Sequence, residues 1–254
     1  MMPMIGFGTY QIPASKAARC VADALSVGYR LIDTAQCYGN ESEVGEAVRA
    51  SDIPREEIFI TTKLWGTRGF SDTVVSIEKS LKRLDTYIDL LLIHEPTGNY
   101  HEIYRAMEKA LAGGNVRSIG VANFIGKTFI DLSENCEIIP AVNQIETHVF
   151  RQQQEMQKLL EKFGTVLQSW SPLACGKNGI FQKPVLKEIA DSHHKTIAQV
   201  ALRWLIQRGI PVIPKSTHKE RMIENIQILD FVLSEDEMKL IASLDLDRSM
   251  FNWW

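Results

Sequence analysis

The chain has 254 residues, a length that fits one large domain or two small ones. Its 45% hydrophobic and 23% charged residues exclude a disordered or fibrous protein, and its net charge of -3 gives no general attraction to nucleic acids or acidic membranes. The N-terminus lacks a secretory pattern, no stretch reaches the roughly 20 apolar residues of a membrane span, and the four scattered cysteines form no CxxC pair. We therefore expect a cytoplasmic protein that binds neither nucleic acid nor membrane.

Short apolar segments alternate with helical patterns along the whole chain. Most of these segments have continuously apolar centres, which is typical of strands buried on both faces of a parallel sheet. The predicted strands are residues 4–9, 29–33, 58–63, 88–94, 118–123, 141–146, 166–170 and 212–215.

The segments between these strands have helical spacing of apolar residues. The predicted helices include residues 15–27, 71–84, 100–111, 185–192, 197–207 and 234–244. Ser71 or Asp72 is expected to cap the second of these, and Gly113-Gly114 to end the third. Eight strand–helix units predict a single α/β domain over residues 1–254, a (β/α)8 TIM barrel with an extra C-terminal helix. An open doubly wound sheet is the alternative, because strand count alone does not establish closure.

Polar residues terminate or interrupt most of the predicted strands. In strand order they are Asp33, Lys63, His94, Asn123, Gln144 with Glu146, Trp170 and Lys215. In a barrel these positions converge at the carboxyl ends of the strands, where such enzymes keep their active sites. A single charged residue at a strand end is as readily explained by a structural ion pair. Polar residues at so many strand ends together predict a functional site.

The chemistry of these residues narrows the reaction. Asp33 and Lys63 are expected to pair, because either charge buried alone is costly. Tyr38 lies just past the Asp33 strand, and a neighbouring Lys63 is expected to lower the pKa of its phenol. Tyr38 can then donate a proton to a developing alkoxide while His94 holds the carbonyl oxygen. No side chain supplies a hydride, so a nicotinamide cofactor is implied.

Seven sequence motifs, in the same order and at similar spacing, resemble those of the aldo-keto reductase family, especially its bacterial diketogluconate- and methylglyoxal-reducing members. The motifs are Asp33-Thr34-Ala35-Gln36-Cys37-Tyr38-Gly39-Asn40-Glu41, Thr62-Lys63-Leu64-Trp65, Leu92-Ile93-His94, Gly120-Val121-Ala122-Asn123-Phe124, Val142-Asn143-Gln144-Ile145-Glu146, Ser171-Pro172-Leu173 and Ile213-Pro214-Lys215-Ser216. The family's catalytic tetrad falls on Asp33, Tyr38, Lys63 and His94. The resemblance implies a TIM-barrel enzyme that reduces a small aldehyde or ketone with NADPH and holds no metal.

The resemblance also implies a set of cofactor-binding residues. Trp170 matches the ring that stacks on the nicotinamide, and Asn123 and Gln144 match the groups that bind its carboxamide. The positions around the adenosine 2′-phosphate are Lys215, Ser216 and Arg221, which favour NADPH over NADH, and the adenine contacts are Glu224 and Asn225. The remaining cofactor positions are Gly8, Thr9, Tyr10, Asp33, Ser171 and Leu173.

The substrate pocket is expected to involve Tyr10, Trp65, His94 and Glu95, with Trp253-Trp254 as further candidates. Glu95 stands where many family members carry a tryptophan, and Ala122 where they usually carry a serine. The first departure predicts a more polar and open substrate site. The protein is expected to be a monomer or a weak oligomer.

Three alternatives compete with this interpretation. Gly6-Phe7-Gly8 begins a Rossmann fingerprint, but Gln11 replaces the required third glycine. A catalytically idle NADPH-binding sensor could use the same fold, although the intact tetrad argues against it. A metal-dependent lyase or isomerase could use His94, Asp33 and Glu146, but the charge of Lys63 would oppose a bound cation.

Overall fold

The computed structural model describes residues 1–251, in which seven parallel strands form one sheet in chain order. The strands are β1 (Phe7–Gly8), β2 (Leu31–Asp33), β3 (Phe59–Leu64), β4 (Leu90–Ile93), β5 (Ile119–Ala122), β6 (Val142–Glu146) and β7 (Val166–Trp170). Asp33 pairs with Gly8 on one side and Thr61 on the other, and Lys63 pairs with Leu92. The carboxyl ends of the strands therefore share one edge of the sheet.

Ten α-helices are found in the described part of the chain, and most of them connect successive strands. They are α1 (Ala14–Val27), α2 (Glu41–Arg49), α3 (Phe70–Leu84), α4 (Tyr100–Ala112), α5 (Lys127–Asn135), α6 (Gln154–Lys162), α7 (Pro184–Ser192), α8 (Ile197–Gln207), α9 (Lys219–Ile226) and α10 (Glu235–Ala242). Short 3-10 helices occupy Gln36–Tyr38, Arg55–Glu57 and Ala174–Gln182. None of the helices in residues 1–251 combines the length and apolar character required to cross a bilayer.

The side chains of β4 divide between two apolar clusters. Leu91 and Ile93 belong to a large cluster that includes the buried faces of the helices. Leu90 and Leu92 belong to a small cluster with Ala122 and Val142 from the next two strands. Alternate residues of one strand thus pack in opposite directions, which explains why the strand is apolar throughout.

Seven of the eight predicted strands are present, and the eighth is not a strand. In place of the predicted strand 212–215, Val212 alone forms parallel bridges, to Ile5 on one side and Ser169 on the other. The physical reason is that Pro211 precedes this segment and Pro214 lies within it, and neither proline has an N–H to donate. Val212 and its neighbours still connect both edges of the sheet, since the N–H of Gly6 donates to Val212 O and that of Ser169 to Pro211 O, each at 2.8 Å.

The predicted start of α3 is also corrected. The helix begins at Phe70, so Gly69 is its cap and neither Ser71 nor Asp72 holds that position. The Asp72 carboxylate instead accepts hydrogen bonds from the N–H groups of Arg68 at 2.7 Å and Gly69 at 2.9 Å. Because a carboxylate in the first helical turn can reach back to free N–H groups, Asp72 satisfies this end from inside the helix. The predicted end of α4 is confirmed, with Gly113 as its C-cap.

Candidate active site

A cavity of about 700 Å³ opens at the carboxyl ends of the strands. Its walls include thirteen of the residues expected from the sequence: Gly8, Tyr10, Asp33, Tyr38, Trp65, His94, Glu95, Asn123, Gln144, Trp170, Ser171, Leu173 and Lys215. Gly8 allows the strand carrying it to come close to its neighbour, because a Cβ there would lie 2.8 Å from the carbonyl oxygen of Ile213. The sequence-predicted positions from β1 to β7 are therefore brought together around one space.

Asp33 and Lys63 form a buried ion pair beside this cavity. Lys63 Nζ lies 2.5 Å from Asp33 Oδ1, and the two side chains are 1% and 2% exposed. Nζ also donates to the carbonyl oxygen of Thr34 at 3.0 Å, while Gln144 Nε2 donates to Asp33 Oδ2 at 2.7 Å. Both charges are thus compensated, as burial at this depth requires.

Tyr38 stands next to this pair on the 3-10 helix that follows β2. Lys63 Nζ lies 3.4 Å from the Tyr38 hydroxyl oxygen, and 5.0 Å from the centre of its ring. Burial around the hydroxyl raises the pKa of Tyr38 well above its ordinary value, and the negative charge of Asp33 adds to the effect. The expected fall in this pKa is wrong, because burial and the Asp33 charge outweigh the neighbouring Lys63 ammonium. The phenol consequently keeps its proton at neutral pH.

His94 follows β4 and faces Tyr38 edge-on, with ring centres 5.7 Å apart. Burial, and after it the charge of Lys63, lowers the pKa of His94 to about 3. The Cys37 thiol lies 3.5 Å from His94 Nδ1, and burial raises the pKa of that thiol to about 11. A protonated thiol and a neutral imidazole therefore meet at this contact, and neither carries charge into the cavity at neutral pH.

Three side chains from β5, β6 and β7 form an amide and indole wall. Trp170 Nε1 donates to Asn123 Oδ1 at 2.8 Å, and Asn123 Nδ2 donates to the carbonyl oxygen of His94 at 3.0 Å. Asn123 adopts a left-handed backbone, with φ of 63°, which asparagine tolerates better than most residues. Gln144 Nε2 donates to Gln168 as well as Asp33, whereas Gln144 Oε1 accepts no hydrogen bond from residues 1–251.

The remaining expected cofactor residues lie outside the cavity wall: Thr9, Ser216, Arg221, Glu224 and Asn225. Thr9 is buried and donates to the carbonyl oxygen of Asp33 at 3.0 Å, so its side chain supports the end of β2. Ser216 exchanges hydrogen bonds with the backbone of His218, just before α9 begins. Glu224 accepts a hydrogen bond from Thr196 Oγ1 at 2.6 Å.

Two positive charges lie where the chain leaves the cavity towards α9. Lys215 is exposed and lines the cavity, and Arg221 is exposed on α9. Neither forms an ion pair with another residue in the described part of the chain. Both are consequently available to an anionic group.

The expected substrate residues form the other side of the cavity. The Trp65 ring lies 5.1 Å from the His94 ring, and the Tyr10 ring lies 5.0 Å from the Tyr38 ring. Gln36 Oε1 accepts from the backbone N–H of Trp65 at 2.9 Å and thereby fixes the chain at this point. Glu95 completes this side.

Seven further residues line the cavity and were not expected from the sequence: Gln11, Cys37, Pro172, Cys175, Ile213, Pro214 and Phe251. Phe251 lies near the end of the chain, and its ring centre is 5.2 Å from that of Trp170. Four of the seven, Cys37, Pro172, Ile213 and Pro214, lie within the motifs quoted above, so the register itself could have indicated them. Trp253 and Trp254 lie outside the described residues.

Glu146, weighed above as a metal ligand, is committed to other partners. Its carboxylate lies 3.0 Å from His148 Nε2 and 2.5 Å from Arg151 Nη1, and accepts from the N–H of Met250 at 2.8 Å. Burial would raise the pKa of Glu146, but these hydrogen bonds outweigh it and lower the pKa to about 2. Within residues 1–251, no three His, Cys, Asp or Glu residues are arranged to hold a metal ion.

Comparison with known proteins places this geometry in a family. The model of the aldo/keto reductase family matches residues 4–246. The chain belongs to the aldo/keto reductase family. It is therefore an oxidoreductase, and carbonyl reduction is supported as its general chemistry. Family membership excludes the Rossmann-type alternative.

The matches to individual relatives cover nearly the full length of this chain. A glyoxal reductase from Bacillus subtilis is 42% identical, with 97% of this chain and 90% of that protein covered. A 9,11-endoperoxide prostaglandin H2 reductase from Trypanosoma cruzi is 41% identical, covering 97% and 89%. The crystal structure of an aldo-keto reductase enzyme from a Medee basin deep-sea metagenome library superposes with a TM-score of 0.97 at 44% identity, covering 99% and 94%. The parallel strands and helices described above are thus consistent with the α/β barrel of these relatives.

Proposed function

We propose that this protein reduces small aldehydes or ketones to alcohols with NADPH, using Tyr38 as the proton donor. The observation that carries the proposal is the Tyr38 hydroxyl, protonated and 3.4 Å from a lysine whose charge is matched by Asp33. His94, a neutral imidazole on the same cavity wall, is suited to holding a carbonyl oxygen.

The residues divide the work of the reaction between them. When bound, the reduced nicotinamide supplies a hydride to the carbonyl carbon. A C–H bond forms, the C=O π bond breaks, and its electron pair moves to oxygen. Tyr38 donates its proton to that oxygen, and the phenolate left behind is stabilised by the Lys63 ammonium until solvent returns a proton. His94 holds the oxygen by a hydrogen bond and takes up no charge.

The cavity fits a nicotinamide ring. Gln144 Oε1 lacks a donor within residues 1–251 and can accept from the carboxamide, while the Trp170 indole offers an aromatic face. Lys215 and Arg221, with no ion-pair partner in that range, suit the dianionic 2′-phosphate of NADPH. Ser216 would add a hydroxyl, Glu224 and Asn225 would contact the adenine, and Gly8, Thr9, Tyr10, Ser171 and Leu173 would complete the site.

We further infer that residues 1–254 form one (β/α)8 barrel domain. The hydrogen bonds of Val212 and its neighbours to both edges of the sheet support closure by an eighth, proline-containing segment. The four free cysteines fit a reducing, cytoplasmic setting, and a monomer or weak oligomer is the assembly we propose.

Measuring NADPH oxidation with glyoxal and short aldehydes tests the proposed function against the idle-sensor alternative. We expect turnover with NADPH and slower or weaker use of NADH. Tight NADPH binding with no turnover of any carbonyl compound would instead support the sensor.

A further inference from the structure

Glu95 places a carboxylate in the substrate side of the cavity, directly after His94. Its side chain is half-buried and lines the same space as Tyr38 and Trp65. The carboxylate forms no hydrogen bond or ion pair with any residue in 1–251. Burial raises the pKa of Glu95 above its ordinary value, as expected for a charge that has lost water and gained no partner.

The other charges that line the cavity do not neutralise Glu95. Asp33 is matched by Lys63 at 2.5 Å, and His94 is uncharged. Lys215 lies beyond Gly8, since the nearest side-chain atom of Lys215 is 3.8 Å from where a Gly8 Cβ would stand. That is the side of the cavity assigned above to the cofactor. The substrate side of the cavity therefore carries a net negative charge, which comes from the unpaired Glu95 carboxylate.

Two aromatic rings accompany this charge. Trp65 and Tyr10 are 47% and 40% exposed, and both line the cavity. An aromatic face attracts cations through its quadrupole, and a nearby carboxylate strengthens that attraction. Anionic substrates, in contrast, would meet Glu95, and no Lys or Arg of residues 1–251 lines this side of the cavity.

We propose that the preferred substrates are carbonyl compounds that also carry an amine or quaternary ammonium group. This inference rests on the proposed function, because the carbonyl group is held by Tyr38 and His94. Because Glu95 follows His94 directly and both line the cavity, the proposed substrate joins its carbonyl and its cation through a short spacer. Glu95 compensates the cation, and the Trp65 and Tyr10 rings contact its methyl or methylene groups.

A pair of isosteric aldehydes tests this proposal. The cationic probe is γ-trimethylammonio-butyraldehyde, and the neutral probe has a tert-butyl group in place of the trimethylammonium group. The measurement is the kcat/KM of each with NADPH at low ionic strength, for the wild type and for Glu95→Gln. Comparing the cationic-to-neutral ratio between the two proteins cancels the intrinsic reactivity of each aldehyde.

We expect the ratio to fall by about fivefold in Glu95→Gln, the effect of one partly exposed ion pair. Added salt should weaken the wild-type preference, since it screens exposed charges. Glu95→Lys should shift the preference towards succinic semialdehyde, an anionic aldehyde. Thermal melting of both variants checks that they are folded.

The outcomes separate this inference from the proposed function. If the wild type reduces both aldehydes and the ratio is the same in Glu95→Gln, the cation preference is wrong and carbonyl reduction stands. If neither aldehyde is reduced, calorimetry with the two corresponding alcohols still decides. Tighter binding of the cationic alcohol that is lost in Glu95→Gln supports cation recognition, and equal binding overturns it.

Discussion

At the scale of single residues, burial sets the charge of the site. His94 has a pKa of about 3 against an ordinary value of 6.5, because burial and the Lys63 charge both oppose its protonation. The unfolded chain therefore binds a proton to this residue at a higher pH than the folded chain does. The contribution of His94 to the stability of the fold is therefore fully present above about pH 6.5, and it is lost as the pH falls towards about 3.

We predict that the difference in unfolding free energy between the wild type and His94→Asn changes with pH in this window. Relative to His94→Asn, the wild type should lose up to about 1.4 kcal/mol of unfolding free energy for each unit by which the pH falls within this window. Urea unfolding at several pH values measures this, and the same substitution at the exposed His194 controls for removal of an imidazole. A pH-independent difference at His94 would contradict the pKa given above.

Arg221 belongs to the same scale, because its expected role depends on one charge. Arg221→Ala should raise the KM for NADPH by about tenfold, the effect of losing a charge-assisted contact to phosphate. The KM for NADH should barely change. Lys219→Ala removes another exposed cation from α9 and is the matched control. Equal weakening of both cofactors by Arg221→Ala would show that the residue does not contact the 2′-phosphate.

At the scale of elements, α2 and α3 pack so closely that one glycine is required between them. A Cβ on Gly45 would lie 2.2 Å from the carbonyl oxygen of Leu84, at the end of α3. Alanine is the better helix former by about 1 kcal/mol, so without this contact the substitution would stabilise α2. A loss of stability on substitution would therefore show that the close contact between the helices outweighs the better helix propensity of alanine.

We predict that Gly45→Ala destabilises the protein by about 1–3 kcal/mol, the usual cost of overpacking. Gly113→Ala is the matched control, because a Cβ there would come no closer than 3.4 Å to another atom. Chemical denaturation of both variants provides the comparison. A Gly45→Ala protein as stable as the wild type would mean that the two helices can move apart at little cost.

The elements also show where sequence reasoning succeeds and fails. β4 and β5 could be located because both faces of each strand are buried, which leaves an uninterrupted apolar pattern. The segment around Val212 has the same pattern, but hydrogen bonding decides its structure, and prolines at 211 and 214 limit that bonding. The start of α3 was misplaced because Asp72 can serve as a cap or reach back from inside the helix, and composition does not distinguish the two.

At the scale of the whole molecule, the site joins residues that are far apart in the chain. Gln144 and Asp33 are 111 positions apart and share a hydrogen bond of 2.7 Å. Asp33, Lys63 and His94 could be placed from the sequence because strand ends meet at one edge of a parallel sheet. Cys175 and Phe251 could not, because they lie in segments outside the strand pattern. The pKa of Tyr38 was mistaken for a related reason: its burial depends on the surrounding fold.

The central claim concerns Tyr38, and single-turnover NADPH oxidation by Tyr38→Phe tests it most directly. Cofactor binding is first checked by fluorescence and folding by thermal melting. Tyr104→Phe is the control, because that buried hydroxyl has no hydrogen-bond partner among the described residues and lies away from the cavity wall. We predict a folded, NADPH-saturated Tyr38→Phe protein that reduces an aldehyde about 10²–10⁴-fold more slowly than the wild type. A rate close to that of the wild type would show that Tyr38 is not the acid.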